Sequence, residues 1–247
     1  MQDLLKNKVA VVTGASRGIG AAIAVKMAQY GADVVLLARN AEKLEQTAQK
    51  IRKLGRKALP IACDIKDIHM IPQVMARIQQ TFPDQHIWVN NAGISQNISL
   101  EALDESHWDA LMDINLKATF FWSQAAFNLM KKDGGRIIHI ASIGGQKGAR
   151  SNGLHYVASK GGLIALSKGL ALNGAPYGIL SNVVCPGLID TDMAVQLDFD
   201  RAYIQQVPLN RLGTPDDIAG ACVYLASPLA NYVTGATIDV NGGLYLR

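Results

Sequence analysis

The sequence has few cysteines, and their positions exclude a disulfide framework and a cysteine metal site. Cys63, Cys185 and Cys222 are the three cysteines among 247 residues, and no Cys-x-x-Cys pair occurs. Each lies in an apolar stretch, which predicts buried free thiols. The five histidines are scattered through the chain, without the spacing of metal ligands. These observations predict a protein without a metal ion that works in the reducing cytoplasm.

A large excess of charge of one sign is also missing. Twenty-four basic and 20 acidic side chains give a formal net charge of +4. The dense basic runs, in residues 50–57 and 131–132, lie on or just after polar, helix-like segments. Nucleic-acid binding requires positive charge gathered on one face, so we expect no nucleic-acid partner.

Long hydrophobic runs do not occur either. Each apolar stretch is interrupted well before the roughly 18 residues that suggest a membrane-spanning helix. Residues 1–8 include Asp3, Lys6 and Lys8, which leaves no unbroken apolar segment of the kind found in a signal peptide. We therefore expect no membrane partner.

Short β-branched runs alternate with longer segments of helical periodicity. Apolar strands that alternate with helices are typical of a parallel sheet covered on both faces. We predict an α/β fold with a single doubly wound (Rossmann-type) domain over residues 1–247, a seven-stranded parallel sheet and helices on both faces. The predicted strands are residues 9–13, 34–38, 58–63, 87–90, 136–141, 180–185 and 237–240. The predicted helices cover residues 18–30, 41–54, 68–81, 105–130 (one or two helices), 155–172 and 216–225.

Residues 187–213 do not follow this alternation. They have little strand character and mix apolar with acidic residues. Long segments of this kind in a compact domain are usually functional. We predict an active-site lid rather than a linker.

A glycine-rich loop follows the first predicted strand and precedes the first helix. Residues 13–20 read Thr-Gly-Ala-Ser-Arg-Gly-Ile-Gly. A helix N-terminus offers unpaired N–H groups to a pyrophosphate, and glycine lets the backbone approach it closely. The spacing differs from G-x-G-x-x-G, and no Walker Lys-Ser/Thr follows, but the strand–loop–helix context favours dinucleotide binding over a purely structural turn. The predicted contacts are Gly14, Ser16, Arg17, Gly18, Ile19 and Gly20.

The end of the second predicted strand indicates which nicotinamide cofactor binds. An NAD enzyme usually has Asp or Glu there, but this strand ends in Ala38 and Arg39. Asp33 begins the strand, at the far end of the sheet. Arg39 and Arg17 can pair with a 2′-phosphate through directed guanidinium hydrogen bonds. We therefore predict NADP(H), the alternative being two ordinary surface arginines.

Tyr156 and Lys160 lie four residues apart and share one helix face. A tyrosine with a pKa near 10 exchanges protons poorly at pH 7, and a nearby ammonium group lowers that pKa. Lowering it to about 7 requires roughly 4 kcal/mol, which a lysine together with an oxidised nicotinamide ring can supply. Taken alone, a Y-x-x-x-K pair is also typical of an ordinary helix surface.

Other polar residues accompany this pair. Ser142 follows the fifth predicted strand, and Asn115 lies inside a helical segment where its amide is out of place. Asn90-Asn91-Ala92-Gly93 closes the fourth strand with a sharp turn. Ligands of open α/β sheets bind at the carboxyl edge of the strands, where Ser142 and this turn are expected.

In this order and spacing the motifs resemble the short-chain dehydrogenase/reductase family over residues 8–245. The matching residues are the loop 13–20, Asp64, Asn90-Asn91-Ala92-Gly93, Asn115, Ser142, Tyr156, Lys160, Pro186-Gly187 and Asn241-Gly242-Gly243. The chain from Ser142 to Tyr156 is one residue longer than is usual in the family, which bears on substrate shape.

The resemblance implies a role for each matching residue. Tyr156 is the general acid in reduction, Ser142 holds the substrate oxygen, and Lys160 binds the nicotinamide ribose and lowers the tyrosine pKa. Asn115 anchors a water that passes protons onward from Lys160. The implied cofactor contacts are Asp64 at the adenine, Asn90 and Gly93 at the ribose, Ile189 and Thr191 at the carboxamide, and also Ile65, Asn91, Ala92, Pro186 and Gly187.

Within the family, residues 189–193, 206–209, 211–213 and 242–245 resemble the 3-oxoacyl-acyl carrier protein reductases. This implies a homotetramer that reduces a 3-oxoacyl thioester with NADPH in fatty acid metabolism. An NAD(P)-dependent dehydrogenase of a secondary alcohol, polyol or sugar is the first alternative. A non-catalytic dinucleotide-sensing regulator is the second, although a pure binder has no need of all four catalytic residues.

An acyl carrier protein is a possible partner whose docking residues are incomplete here. Such carriers are acidic, and arginines beside the active site would attract them. The resembling reductases have basic residues where this chain has Asp133 and Tyr177. Lys131 and Lys132 are nearby, but lysine pairs in a less directed way than arginine. We expect coenzyme A or another small 3-oxo substrate to serve about as well as the carrier.

Overall fold

The computed structural model describes residues 3–149, 153–191 and 204–246. In these residues seven parallel strands form one sheet in the order β3-β2-β1-β4-β5-β6-β7. The strands are β1 (Val9–Thr13), β2 (Asp33–Ala38), β3 (Ala58–Ala62), β4 (Ile87–Asn90), β5 (Gly135–Ile140), β6 (Ile179–Pro186) and β7 (Thr237–Val240). The doubly wound parallel sheet is confirmed. Because β1 pairs with β2 on one side and β4 on the other, a ligand crevice opens beyond their carboxyl ends.

Helices cover both faces of the sheet, as predicted. The described α-helices are α1 (Gly18–Gln29), α2 (Ala41–Lys53), α3 (Ile71–Thr81), α4 (Glu105–Met112), α5 (Thr119–Met130), α6 (Gly144–Lys147), α7 (Leu154–Gly174) and α8 (Pro215–Ala226). Buried residues of α1, α2 and α8 form one core with the sheet. Buried residues of α3 and α5 form the core of the opposite face, which α7 extends through Leu163.

Helix α2 shows how the local sequence determines an element. Asn40 caps its N-terminus, because the side-chain oxygen accepts a hydrogen bond from the Lys43 N–H at 2.8 Å. Leu44, Ala48 and Ile51 recur at helical spacing and are all fully buried. The opposite side of the helix is polar and faces solvent. The Asn40 cap and the buried apolar side chains hold the start of α2 beside the carboxyl end of β2.

The predicted helix over residues 105–130 is interrupted. Between α4 and α5 the backbone widens into a π-helical turn, Asp113–Ala118, which contains Asn115. Strand boundaries differ from prediction by one residue in several places, since β3 ends at Ala62 and β5 at Ile140. Ser142 is therefore two residues beyond its strand.

The predicted lid, residues 187–213, is described only at its two ends, and residues 192–203 lie outside the described part. The Gly213 N–H donates to the Leu188 carbonyl at 2.9 Å, and the Asp190 N–H donates to the Gly213 carbonyl at 2.8 Å. These bonds hold the two ends of the segment side by side. Its function as a lid stays a prediction.

All three cysteines are buried, and none of them forms a disulfide bond. The described residues contain no helix that is long and apolar enough to span a bilayer. Over the same ranges, no group of three or more histidine, cysteine, aspartate or glutamate side chains is arranged to hold a metal ion.

Candidate active site

A groove of about 1050 Å³ runs along the carboxyl edge of the sheet. The glycine loop and the end of β2 line one end of it, and Ser142, Tyr156 and Lys160 line its centre. Every residue that the sequence predicts for the site lines this groove except Asn90 and Asn115. The structure therefore brings residues from most of the chain together at one place.

The glycine loop is fastened to the loop that follows β4. The Asn91 side-chain amide donates to the Thr13 carbonyl at 3.0 Å, and the Asn91 and Ala92 N–H groups both donate to Thr13 Oγ1 at 3.0 Å. A Cβ on Gly20 would collide with the Gly14 carbonyl and the Asn91 side chain, so only glycine fits there. The close approach holds the start of α1 against the sheet.

The N-terminus of α1 is open toward the groove. Arg17 is its N-cap residue, and its side chain makes no capping hydrogen bond to the first turn. The first turn contains no acidic side chain either. Its N–H groups, together with the positive end of the helix dipole, can therefore bind a pyrophosphate.

The end of β2 forms a cationic corner of the groove. Ala38, Arg39, Asn40 and Lys43 all line it, and Asp64 lies across from them after β3. The sequence predicts Arg39 here but not Lys43, whose position three residues after the helix cap Asn40 is the signal that indicates it. Asp33, at the opposite end of β2, pairs with Arg56 at 2.7 Å and is remote from this corner.

Ser142, Tyr156 and Lys160 form a compact polar group in the centre. Ser142 Oγ accepts the Gly144 N–H at 3.1 Å, and the Ser142 hydroxyl acts on the Tyr156 phenol by lowering its pKa. The Lys160 ammonium group donates to the Ile140 carbonyl at 2.9 Å and lies 5.7 Å from the centroid of the Tyr156 ring. No sequence signal pointed to Ile140, because a backbone carbonyl acts here and its side chain does not.

Burial controls the ionisation of this group. It raises the pKa of Tyr156 above its ordinary value, and the Ser142 hydrogen bond opposes that rise. Burial also lowers the pKa of Lys160 to about 8. The protein groups alone thus raise the tyrosine pKa, where the sequence predicted a fall, because removing a phenolate from water costs more than the nearby groups return. The phenol keeps its proton at neutral pH, as a general acid must.

Asn115 lies behind the centre and fixes the loop after β4. Its side-chain oxygen accepts the Ile94 N–H at 2.9 Å, and its amide donates to the Ile94 carbonyl at 2.9 Å and to Ser159 Oγ at 3.2 Å. A Cβ on Gly93 would lie 3.2 Å from this oxygen and 3.4 Å from the Lys160 ammonium group. Asn115 is thus close to Lys160, and its role as a water anchor stays a prediction.

The expectation that Asn90 lines the ribose is wrong for its side chain. Asn90 is 4% exposed, accepts the Trp88 indole N–H at 2.9 Å and donates to Ser123 Oγ at 2.8 Å. Its amide also lies 3.3 Å from Nδ1 of His139, whose pKa burial lowers to about 3. The alternation along β4 turns this carboxamide into the core, away from the groove.

The groove fits an extended dinucleotide. Its volume is at the upper end of the roughly 300–1,000 Å³ range of small-molecule sites, as an extended ligand requires. The open α1 N-terminus suits a pyrophosphate, and Arg39 and Lys43 suit a further phosphate at the end of β2. Ser142, Tyr156 and Lys160 line the same groove in its centre, and Gly93 lies close to the Lys160 ammonium group.

The chain is similar to known proteins over almost its whole length. Residues 14–245 match the family described as enoyl-(acyl carrier protein) reductase. A 3-oxoacyl-acyl-carrier-protein reductase of Vibrio cholerae is 41% identical over 246 residues, which cover 98% of this chain and 99% of the relative. A second such reductase, from Aquifex aeolicus, is 36% identical over 249 residues, which cover 99% of this chain and 100% of the relative. The solved structure of a short-chain type dehydrogenase/reductase from Mycobacterium marinum matches this chain with a TM-score of 0.95 at 33% identity. The match covers 98% of this chain and 97% of the solved chain.

Proposed function

This chain belongs to the short-chain dehydrogenase/reductase family, and we propose on that basis that it reduces a 3-oxoacyl thioester to the 3-hydroxyacyl thioester with NADPH. The observation that carries the proposal is the grouping of Ser142 with the buried Tyr156 and Lys160 in one groove with a dinucleotide loop. The 3-oxoacyl-acyl-carrier-protein reductases at 36–41% identity support this choice of substrate.

The side chains divide the chemistry between them. Ser142 binds the substrate carbonyl oxygen, and Tyr156 donates its phenolic proton to that oxygen. The carbonyl carbon would accept the hydride that NADPH, when bound in this groove, can supply. Lys160, held by the Ile140 carbonyl, stabilises the phenolate that remains until a proton returns to it from solvent. Arg39, Arg17 and the start of α1 hold the cofactor phosphates.

The test is a turnover screen with both directions and both cofactors. We expect acetoacetyl-coenzyme A to be reduced with NADPH at a higher kcat/KM than any secondary alcohol, polyol or sugar is oxidised with NADP⁺. Efficient alcohol oxidation without thioester reduction would favour the dehydrogenase alternative. Cofactor binding without turnover of any substrate would favour the regulator.

The two positions at which basic residues would attract an acidic carrier hold Asp133 and Tyr177, and neither carries a positive charge. The Tyr177 ring packs edge-on against Phe127 with centroids 5.9 Å apart. The Lys131 ammonium group lies 5.4 and 5.5 Å from the centroids of these two rings, so this cation is partly engaged by aromatic faces. Asp133 is exposed and adds a negative charge. An acidic carrier thus meets no arginine at either position.

We therefore expect similar kcat/KM values for acetoacetyl-carrier protein and acetoacetyl-coenzyme A at low salt, where electrostatic attraction is least screened. Asp133→Arg should increase kcat/KM for the carrier more than for coenzyme A. A wild-type preference for the carrier above about a hundredfold, or roughly 2.7 kcal/mol, would show that another surface docks it.

We also propose a homotetramer that buries the outer faces of α4, α5 and α7 and the C-terminal segment. Large apolar side chains are exposed on these elements: Trp108 at 40%, Phe120 at 39%, Leu172 at 79% and Leu246 at 80%. Exposed apolar surface of this kind commonly marks a protein interface.

Light scattering is expected to give the mass of four chains, and Phe120→Glu should shift the protein to smaller species. Gln49→Glu, on the exposed side of α2, adds the same charge elsewhere and should leave the mass unchanged. A wild-type protein that is monomeric, stable and active on dilution would contradict the assembly.

A further inference from the structure

Besides the cofactor loop and the catalytic group, the groove is lined by apolar side chains, and we call the part that they line the compartment. The cofactor loop and the cationic corner after β2 lie at the other end, so this compartment is left for the substrate. Its apolar side chains are Ile94, Ile143, Leu154, Leu188 and Leu244. Beside them the compartment has one charged side chain among the described residues, Lys147 at the end of α6.

No carboxylate balances this charge in the described lining. Asp64 is the one acidic residue that lines the groove, and it belongs to the adenosine end. Among the described residues the Lys147 ammonium group has neither a hydrogen-bond acceptor nor an ion-pair partner. The side chain is exposed at the mouth of the compartment, so its charge is available to a ligand.

The backbone that carries Lys147 is held firmly. A Cβ on Gly145 would lie 2.6 Å from the Gly161 nitrogen, so α6 sits directly against the helix that carries Tyr156 and Lys160. The Gln146 amide donates to Asp239 Oδ1 at 2.9 Å, and the Lys147 N–H donates to the Ile143 carbonyl at 3.0 Å. The origin of the lysine side chain is therefore fixed relative to the proton donor.

We propose that Lys147 binds an anionic group on the substrate arm and makes the enzyme selective for 3-oxo compounds that carry one. This inference rests on the proposed carbonyl reduction and names the substrate chemistry of the same site. The anion is either a carboxylate of the substrate itself or a phosphate of a thioester arm, since both offer oxygens to an ammonium group. The apolar walls contact the carbon chain between that anion and the carbonyl.

The test compares matched anionic and neutral substrates with NADPH. One pair is acetoacetyl-coenzyme A and its neutral thioester analogue acetoacetyl-N-acetylcysteamine, and the other is acetoacetate and methyl acetoacetate. Lys147→Ala is expected to raise KM for the anionic member of one pair by about threefold to fivefold and to leave kcat unchanged, because an exposed ion pair contributes to binding more than to chemistry. The neutral member should change by less than about twofold, and high salt should reduce the difference.

Two further variants serve as controls. Lys147→Arg keeps the charge and should retain the wild-type selectivity. Lys50→Ala removes an exposed lysine from α2, away from the compartment, and should change nothing. The pair that responds identifies the source of the anion, a phosphate for the thioesters or a carboxylate for the acid and ester.

Equal changes in KM for anionic and neutral members, or no change in either pair, would overturn the role of Lys147. Isothermal titration of acetoacetyl-coenzyme A and of acetoacetate into wild type and Lys147→Ala measures the same selectivity without turnover. If wild-type protein reduces none of the four compounds, the proposed reaction fails. The titration then still decides whether Lys147 binds the anion.

Discussion

Tyr156→Phe is expected to abolish carbonyl reduction while the affinity for NADPH stays within a few-fold of wild type. The substitution removes the transferable proton and keeps the ring, whose residue is only 8% exposed, in its packed position. A positioned proton donor contributes about 10²- to 10⁴-fold to the rate. The loss should therefore appear in kcat and in kcat/KM equally, as expected for an interaction made in the transition state.

Tyr232→Phe is the matched control, because this tyrosine is fully exposed and should tolerate the loss of its hydroxyl. Steady-state kinetics of the two variants, with cofactor titrations monitored by fluorescence, separate chemistry from binding. If Tyr156→Phe retains more than about a tenth of kcat, another group donates the proton.

A second large effect is expected for the cofactor. NADPH should be preferred over NADH, because Ala38 leaves the end of β2 without a carboxylate and Arg39 and Lys43 line that corner. Loss of a hydrogen bond to a charged group costs about 1.5–3 kcal/mol, which corresponds to about 10- to 150-fold. Arg39→Ala should lower kcat/KM for NADPH by that factor and change the value for NADH little.

Arg77→Ala removes an exposed arginine from α3 and should leave both values unchanged. The kcat/KM values for the two cofactors with wild type and each variant provide the measurement. Equal efficiency of NADPH and NADH in wild type would refute the assignment of this corner to a 2′-phosphate.

The features that the sequence predicts correctly are those that local patterns determine. Each strand is a short apolar run, and the glycine loop falls between β1 and α1 as expected. Tyr156 and Lys160 share a helix face because a step of four residues is only slightly more than one helical turn. These rules require no knowledge of tertiary contacts.

The features that were missed depend on tertiary contacts. The π-helical turn around Asn115 accompanies hydrogen bonds to Ile94 and Ser159, from distant parts of the chain. Asn90 turns inward to partners on β4, β5 and α5. The rise in the pKa of Tyr156 comes from burial. Sequence spacing contains no measure of burial.

Burying the ammonium group of Lys160 in the candidate active site destabilises the folded protein. A pKa of about 8 instead of 10.5 means that folding disfavours the charged lysine. Below pH 8 this difference lowers the free energy of unfolding by about 3 kcal/mol. The loss disappears as the pH rises from 8 toward 10.5, because the lysine then becomes neutral in the unfolded chain as well. An apolar side chain of similar length would avoid that cost and remove the group beside the phenol. Selection for a more stable fold alone would therefore disfavour this lysine, and the role that we propose for it in turnover accounts for its presence.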